Sequence, residues 1–452
     1  MNLKNKNVLL VGLAKTGVST IKLLDKLESN IIVNDIKDKE KLKDILEELK
    51  DIKNAEYILG YHPENVDHID IAVVSPGVPL DLPFILKLKE KQIEIIGEVE
   101  LAYRLSKNPI FVGITGTNGK TTTTSLVGEI FKAAQKDTYI VGNIGNPVIE
   151  TVETTDEDSY LITELSSFQL ESIVDFKPKV ASILNLSPDH LNRHHTMENY
   201  IAAKANIFKN QNYDDFAILN YDDKQVRALS EKCNGQVIFF SRREKLDKGV
   251  YLDESDNIVI DIEEKIVLLN KKELSLPGPH NLENCMAAIA MAYVCKIDLE
   301  TLREVLKTFK AVEHRLEYVR TLHDIIFVND SKGTNPDSTI KAIQSYDNPV
   351  ILIAGGYNKD SDYNELLAIG KKNIKALVLM GETAPLIEEC AKTKDYKTII
   401  RVNNMKEAVE ASYSLASKGD VVLLSPACAS WDMYKSFEVR GMDFKDNVNS
   451  LK

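Results

Sequence analysis

Short β-type runs alternate with helix-like stretches three times over along this chain, and that alternation admits little besides parallel sheets covered by helices. The first block, residues 1–98, carries NVLLVG, NIIVND and IAVVSPG separated by VSTIKLLDKL and KEKLKDILEELK. The second, 99–306, opens on PIFVGIT and continues through YLITELSSFQLE, PKVASILNLSPDHLNRHH and FAILNYDD. The third, 307–452, repeats the pattern with DIIFVND, PVILIAGG, IKALVLMG, TIIRVNN and DVVLLSPA. The fold class is therefore α/β, with a Rossmann-like first block and a second doubly wound unit at the end. Within the second block, GQVIFFS, GVYLD, NIVID and KIVLLN predict a small β insertion or an extra sheet between 234 and 277.

A length of 452 residues accommodates two to four domains of about 100–200 residues. Apolar content of 44% with 27% charged residues excludes a disordered chain. The formal net charge of -12 weighs against a large nucleic-acid footprint, although a few local lysines and arginines can still hold an anionic substrate. No segment reaches the roughly 18 consecutive apolar residues of a membrane span, and the N-terminus is no signal peptide, so membrane insertion is not expected and the cytoplasm is the default location. Cys233, Cys285, Cys295, Cys390 and Cys428 lack metal-ligand spacing and read as reduced thiols.

The strongest chemical signal is GITGTNGKTTTTSLVGEIF at 113–131, a glycine-rich turn between a β-type run and a helix. Backbone N–H groups from Gly116 through Thr117, Asn118 and Gly119 to Lys120 can surround phosphate oxygens. Lys120 can neutralise the β/γ-phosphates, Thr121 can offer its hydroxyl to Mg²⁺, and the following helix adds its electropositive end. Counted from Gly116 the loop is shorter than the common GxxxxGK[ST] form, with Gly113 as an earlier glycine. Glu164 follows YLIT and Asp189-His190 follows another strand, positions from which carboxylate and imidazole reach a metal; each reads equally as a structural residue. Lys204, four residues after Tyr200 and on the same helix face, reads on composition as a solvated surface lysine.

Elsewhere the residues leave alternatives open. The first turn, Gly12-Leu13-Ala14-Lys15-Thr16-Gly17, lacks the glycine at position 14 that a dinucleotide fingerprint requires. With Asp35 at the next strand end and Ser75-Pro76-Gly77 after a third strand, this block reads as a nucleotide or sugar-nucleotide site or as a structural βαβ unit. Asn281 and Asn284 suit base binding, an interdomain hinge or helix capping. Arg315, Asp330 and Lys332 form a polar group at the start of the third block.

Taken together, GTNGKTT, ELSSFQLE, DHLNRHH, PGPHNLENC, EHRLE, NDSKGTN and SPACASWD resemble the Mur ligase superfamily, in order and over essentially the whole chain. The resemblance implies a three-domain protein: a Rossmann-like UDP-substrate domain at 1–98, a central P-loop ATPase at 99–306 and a Rossmann-like amino-acid-binding domain at 307–452. SPACASWD, without a DNPR-like stretch, is similar to the glutamate-adding branch. The implied reaction is ATP-dependent ligation of D-glutamate to UDP-N-acetylmuramoyl-L-alanine through an acyl phosphate, in peptidoglycan precursor synthesis, by a monomer.

Roles follow by matching position. Lys120, Thr121 and Thr122 match the ATP phosphate and Mg²⁺ positions, with two Mg²⁺ sites implied; Glu164 and His190 match metal-site residues, and Lys204 matches a lysine carbamylated in this family. Asn281, Asn284, Arg315 and Asp330 match nucleotide contacts. Leu13 to Thr16, Asp35, Ser75, Gly77 and Asn143 match the UDP-substrate side, and Lys332, Thr334, Lys359, Ser425 and Phe437 the D-glutamate side. Two departures stand out: Asn192 where an aspartate is usual, and GGYNKDSDY as an uncommon lysine loop. A folylpolyglutamate synthetase and a non-catalytic ATP-binding module are the competing readings.

Overall fold

The computed structural model describes residues 1–452 apart from Pro277, Ala311, Val312 and Asp360, and the side chains of Lys15 and Asn192 also lie outside the described set. Among the described residues three sheets form, each built from one of the alternating blocks. Contacts divide the chain into two compact units: Met1–Asn270 with Cys285–Val305, and Lys271–Asn284 with Leu306–Lys452.

The first sheet is wholly parallel, in the order Ala55–Leu59, Asn30–Asp35, Asn7–Val11, Ile71–Val74, Glu94–Gly97. The chain runs outward from Asn7–Val11 in one direction and then returns to its other side. The strand order reverses at the carboxyl ends of Asn7–Val11 and Ile71–Val74, which is where open α/β sheets leave a crevice. The segments 12–16 and 75–78 emerge there.

The second sheet runs Lys265–Asn270, Asn257–Asp261, Gly249–Leu252, Gln236–Ser241, Phe216–Asn220, Val180–Ile183, Ile110–Thr115, Tyr160–Glu164, Thr138–Gly142. The runs at 236–270 therefore make no separate sheet; they extend this one. Gln236–Ser241 and Gly249–Leu252 join in parallel and the last two strands close antiparallel. The reason lies at the open edge of Phe216–Asn220, whose unpaired backbone groups accept a further strand more readily than water can be excluded from a free-standing hairpin. Ile110–Thr115 sits between Val180–Ile183 and Tyr160–Glu164, so the loops leaving three buried strands meet.

A continuous apolar cluster joins these two sheets, running from Val8, Leu10 and Ile71 through Val99, Leu101 and Ala102 to Phe111, Ile183 and Leu219. At roughly 1.5–3 kcal/mol for each fully buried large aliphatic side chain, this shared core accounts for the two sheets falling in one unit. The helix Glu98–Leu105 lies in the seam. Its Glu100 accepts backbone N–H groups from Val174, Asp175 and Phe176 at 2.9 Å each, and receives Arg104 Nε at 2.6 Å.

The third sheet, in the second unit, runs Glu317–Leu322, Ile325–Asn329, Val421–Leu424, Val350–Ala354, Ile374–Leu379, Ile399–Arg401. Only the first pair is antiparallel. Val421–Leu424 inserts between two earlier strands, which brings the loops after Asn329, Ala354 and Leu424 to one edge. Apolar layers cover both faces, one around Leu352, Leu377 and Leu423, the other around Phe327, Ile353 and Phe444.

Because Glu100 accepts three backbone N–H groups, for which no other acceptor is found among the described residues, Glu100→Ala should lower the melting temperature by several degrees, in line with about 1–3 kcal/mol for each buried donor left unpaired. Differential scanning calorimetry of the variant against the native chain checks this.

Candidate functional site

The phosphate-loop segment leaves the strand Ile110–Thr115 and turns into the helix Lys120–Ala133. Gly113, counted above as an early glycine of the loop, lies inside the strand with Ile207 packed over it. The turn depends on two other glycines. At Gly116 (φ 149°) a Cβ would stand 3.1 Å from Leu184 Cβ and 3.2 Å from Leu184 N, and Gly119 (φ 85°) adopts the left-handed conformation that starts the helix.

The loop is clamped to the segment after Val180–Ile183. Thr117 N–H donates to Asn185 O (2.9 Å), Asn118 N–H to Asn185 Oδ1 (2.8 Å), and Asn185 Nδ2 returns a bond to Asn118 O (3.0 Å). Thr117 Oγ1 donates to Ser187 O at 3.1 Å and lies 3.0 Å from Tyr200 Oη. Lys120 Nζ folds over its own loop onto Gly116 O (3.0 Å) and Thr117 O (2.8 Å). Thr121 and Thr122 are buried in the first turn.

Lys204 is no surface lysine. It is 2% exposed on the helix Met197–Ala205, donates to Gly116 O at 2.8 Å and Thr115 Oγ1 at 3.3 Å, and lies 4.8 Å from the Tyr200 ring centroid. Burial, and then the charge of Lys120, pull its pKa well below 10.5, while Asp189 and Glu164 pull the other way. Glu164 ends the strand Tyr160–Glu164; its Oε1 accepts from Asn143 Nδ2 (2.7 Å) and its main-chain O from Asn143 N–H (2.8 Å). Glu164 Oε2 is buried and has no hydrogen-bond partner among the described residues.

His190 starts the short helix Leu191–His194 with φ 54°. Its side chain is 44% exposed, 3.7 Å from Asp189 Oδ2, with the ring centroid 4.8 Å from Phe168. On the first sheet, Asp35 accepts Leu13 N–H at Oδ2 (2.7 Å) and Lys37 N–H at Oδ1 (2.8 Å), so a sugar hydroxyl would share oxygens already engaged with the turn. Ser75 Oγ donates to Gly12 O at 2.7 Å. Gly77 has open space around it, Ala14 is exposed and Thr16 half-buried. The Lys15 side chain is outside the described set.

In the second unit, Asn284 Nδ2 donates to Asn281 Oδ1 at 3.3 Å, both residues being buried. Asp330 follows Ile325–Asn329; burial pushes its carboxyl up to about 7, against the hydrogen bond from Ser425 and the charges of Arg315 and Arg440. Ser425 Oγ donates to Asp330 Oδ2 at 2.7 Å and Leu316 N–H to Oδ1 at 3.3 Å. Lys332 Nζ sits 3.9 Å from the Phe437 ring centroid, and Thr334 N–H bonds Lys332 O. Lys359 Nζ lies over Trp431, 5.2 Å from its ring centroid.

Arg440, which the motifs did not single out, is 2% exposed and ties these loops together through Ser331 Oγ (3.0 Å), Ser331 O (2.8 Å), Ala429 O (3.2 Å) and Cys428 O (3.1 Å). The Cys428 thiol is pushed up by burial and contacts Tyr363 and Thr383, which leaves it inert as a nucleophile. Glu313, His314 and Glu317 cluster closely enough to hold an ion, but Lys445 already bonds both glutamates.

Three family models match in order: the MurD-like N-terminal domain over 6–97, the Mur ligase middle domain over 114–292 and the glutamate ligase domain over 314–428. The chain belongs to the Mur ligase family. This Mur ligase is 69% identical to a UDP-N-acetylmuramoylalanine--D-glutamate ligase of Clostridioides difficile over all of both chains, and 51% identical to one of Alkaliphilus oremlandii, again over all of both. Its fold is shared with a pseudomurein peptide ligase of Methanothermus fervidus (TM-score 0.60, 19% identity, covering 99% of this chain and 100% of that one). A UDP-N-acetylmuramate-alanine ligase of Thermotoga maritima superposes similarly (TM-score 0.60, 18% identity, covering 99% and 100%).

The donor set of this Mur ligase fits a divalent cation bound by oxygen. A buried carboxylate oxygen without a hydrogen-bond partner is costly unless a cation takes it, and Thr121 supplies a hydroxyl at the start of the phosphate-loop helix.

Lys204 contributes a stability penalty with a definite sign. Its folded-state pKa is depressed, so the charged form is disfavoured in full at low pH and the penalty fades as pH rises towards 10.5. In CO₂-free buffer, Lys204→Met should raise the melting temperature at about pH 7, and the gain should shrink by about pH 9.5. Thermal melts at the two pH values check it.

Proposed function

We propose that this Mur ligase joins D-glutamate to UDP-N-acetylmuramoyl-L-alanine, cleaving ATP to ADP and phosphate, as a cytoplasmic monomer in cell-wall precursor synthesis. The observation that carries the chemistry is a phosphate loop whose own lysine and a second, buried lysine converge on one carbonyl, with Glu164, one of whose oxygens is unpartnered, close enough to act on the buried lysine's charge. The substrate pair rests on the full-length similarity to D-glutamate ligases. The domain boundaries 1–98, 99–306 and 307–452 belong to the same reading.

A carboxylate does not react with an amine at neutral pH, because its carbonyl is too electron-rich. The loop amides of 116–120 and the Lys120 ammonium hold ATP so that the substrate carboxylate oxygen attacks the γ-phosphorus and ADP leaves. The D-glutamate nitrogen then attacks the acyl-phosphate carbonyl; the tetrahedral species expels phosphate, and the nitrogen loses a proton. Asn143, in the turn after Thr138–Gly142, orients Glu164 through its hydrogen bond to Oε1 and contacts the muramoyl substrate. Leu13, Ala14, Lys15, Thr16, Asp35, Ser75 and Gly77 hold the sugar nucleotide.

Lys204 acts after modification. Its lowered pKa supplies the neutral amine, which adds to the carbon of CO₂ and releases one proton. The ammonium becomes an anionic carbamate, and a charge that repelled cations becomes a ligand for one. Thr121, Glu164, His190 and carbamylated Lys204 would hold Mg²⁺ at two sites. Bound there, Mg²⁺ neutralises the phosphate oxygens. Asn281, Asn284, Arg315 and Asp330 contact ATP in this reading, and Lys332, Thr334, Lys359, Ser425 and Phe437 receive D-glutamate, the lysines suiting a dicarboxylic amino acid.

The decisive test measures phosphate release with ATP, Mg²⁺ and UDP-N-acetylmuramoyl-L-alanine in the presence of D-glutamate, L-glutamate, meso-diaminopimelate or no amino acid. Stoichiometric release with D-glutamate alone, and a product heavier by one glutamyl residue, is expected; turnover with L-glutamate instead would discard the substrate assignment. Lys204→Ala should lose at least about a hundredfold in kcat, as removal of a group aimed at developing charge typically does, and recover in part with added small carboxylates. Full turnover without the additive would remove the carbamate from the mechanism.

A further inference from the structure

Arg193 follows the Asp189-His190 pair closely, and nothing in the reaction scheme requires it to touch a substrate. Its Nη2 donates to two groups from different parts of the first unit: Val78 O at 2.9 Å and Glu171 Oε2 at 2.7 Å. Its guanidinium carbon lies 5.2 Å from the Phe168 ring centroid, and the side chain is only 13% exposed. Val78 closes the Ser75–Gly77 turn at the crevice of the first sheet. Phe168 and Glu171 belong to the SSFQLE segment that follows Glu164, and Arg193 sits in the short helix that begins at His190.

One planar cation thus ties the substrate-side turn, the Glu164 segment and the His190 segment to each other. The tie is charge-assisted and lies over an aromatic ring, conditions under which an arginine contact is strong and directional. Its neighbours each make part of the tie: His194 joins the His190 segment to the SSFQLE segment through Glu171 (3.2 Å) and Ser167 Oγ (2.9 Å), and His195 reaches Asp81 at 3.4 Å with both side chains exposed, whereas Arg193 joins the Val78 carbonyl to Glu171 through one guanidinium nitrogen. Glycine and proline at 77 and 76 leave the turn no side-chain hydrogen bond of its own at those positions, so the carbonyl at Val78 is a natural anchoring point.

We propose that Arg193 is a positioning residue for the sugar-nucleotide half of the reaction, holding the 75–78 turn in register with the Glu164 and His190 segments so that the substrate carboxylate meets the ATP γ-phosphate. The inference rests on the ligase reading above. A purely structural tie would weaken all substrates together and lower the melting temperature; a positioning role acts on one substrate.

Steady-state kinetics of Arg193→Ala and Arg193→Lys, with melting temperatures, separate these. Arg193→Ala should raise KM for UDP-N-acetylmuramoyl-L-alanine at least about tenfold, the scale of one lost charged hydrogen bond, and leave KM for ATP and D-glutamate within about twofold. Arg193→Lys, which keeps a charge and donors but loses the planar stack, should fall between, and added guanidinium should restore part of the alanine variant's KM. Equal changes in all three KM values, or none, overturn the inference. If Arg193→Ala does not fold, the same comparison is read from Arg193→Lys alone. Failure of the native chain to turn over strikes the ligase reading itself; calorimetric Kd values for UDP-N-acetylmuramoyl-L-alanine then decide, and no weakening in the variant, or no binding by the native chain, overturns the positioning role.

Discussion

The carbonyl of Gly116 accepts hydrogen bonds from two lysines, Lys120 of its own loop and Lys204 from a helix more than eighty residues later, and the rest of the catalytic unit is arranged around that meeting. Burial disfavours a charge on Lys204, and the like charge of Lys120 at the same oxygen adds to that. Lys204 gives way, with a pKa well below its usual range, because it is the more deeply enclosed of the two. The arrangement has an ordinary hydrophobic cause: Tyr200 and Ala203 pack the helix Met197–Ala205 against the protein interior, and the stem of Lys204 goes in with them.

From this follows a division of labour between the two lysines. Lys120 lies half-buried over the loop, where an incoming phosphate can exchange for the main-chain oxygens it now touches. Lys204 is enclosed, and in the proposed mechanism its use is conversion to an anionic carbamate that acts with Glu164. Under that proposal a single region would present cationic donors to phosphate and anionic oxygens to a metal, a combination that an unmodified set of side chains would struggle to hold at such close range.

The second unit solves a different problem with similar means. Arg440, nearly fully buried, donates to main-chain and side-chain oxygens of the Ser331 and Cys428–Ala429 segments, and burial lowers its own pKa to about 10. It shapes the edge at which Asp330, Ser425, Lys332 and Phe437 gather. Arg440 lies outside the quoted motifs, and nothing local to Arg193 inside DHLNRHH marks it as a bridge, because the partners of both arginines are far away in sequence and several are main-chain carbonyls.

The alternation of strand and helix, the phosphate loop and the placing of polar residues at strand ends were legible in the chain, since they depend on local periodicity and on turn chemistry within a few residues. The family motifs also marked Glu164, His190 and Lys204 as candidate metal-site residues, and the fold brings the Glu164 charge within reach of Lys204. Periodicity could not say that the 236–270 runs extend the central sheet, because strand pairing is a choice between distant edges. Nor could composition show that Lys204 is buried, that Glu164 Oε2 is left without a partner or that Asp35 is bound to its own turn. Burial and pairing are properties of what lies across a gap in space, and they arise only once strands from all along the chain have brought their ends to a common edge.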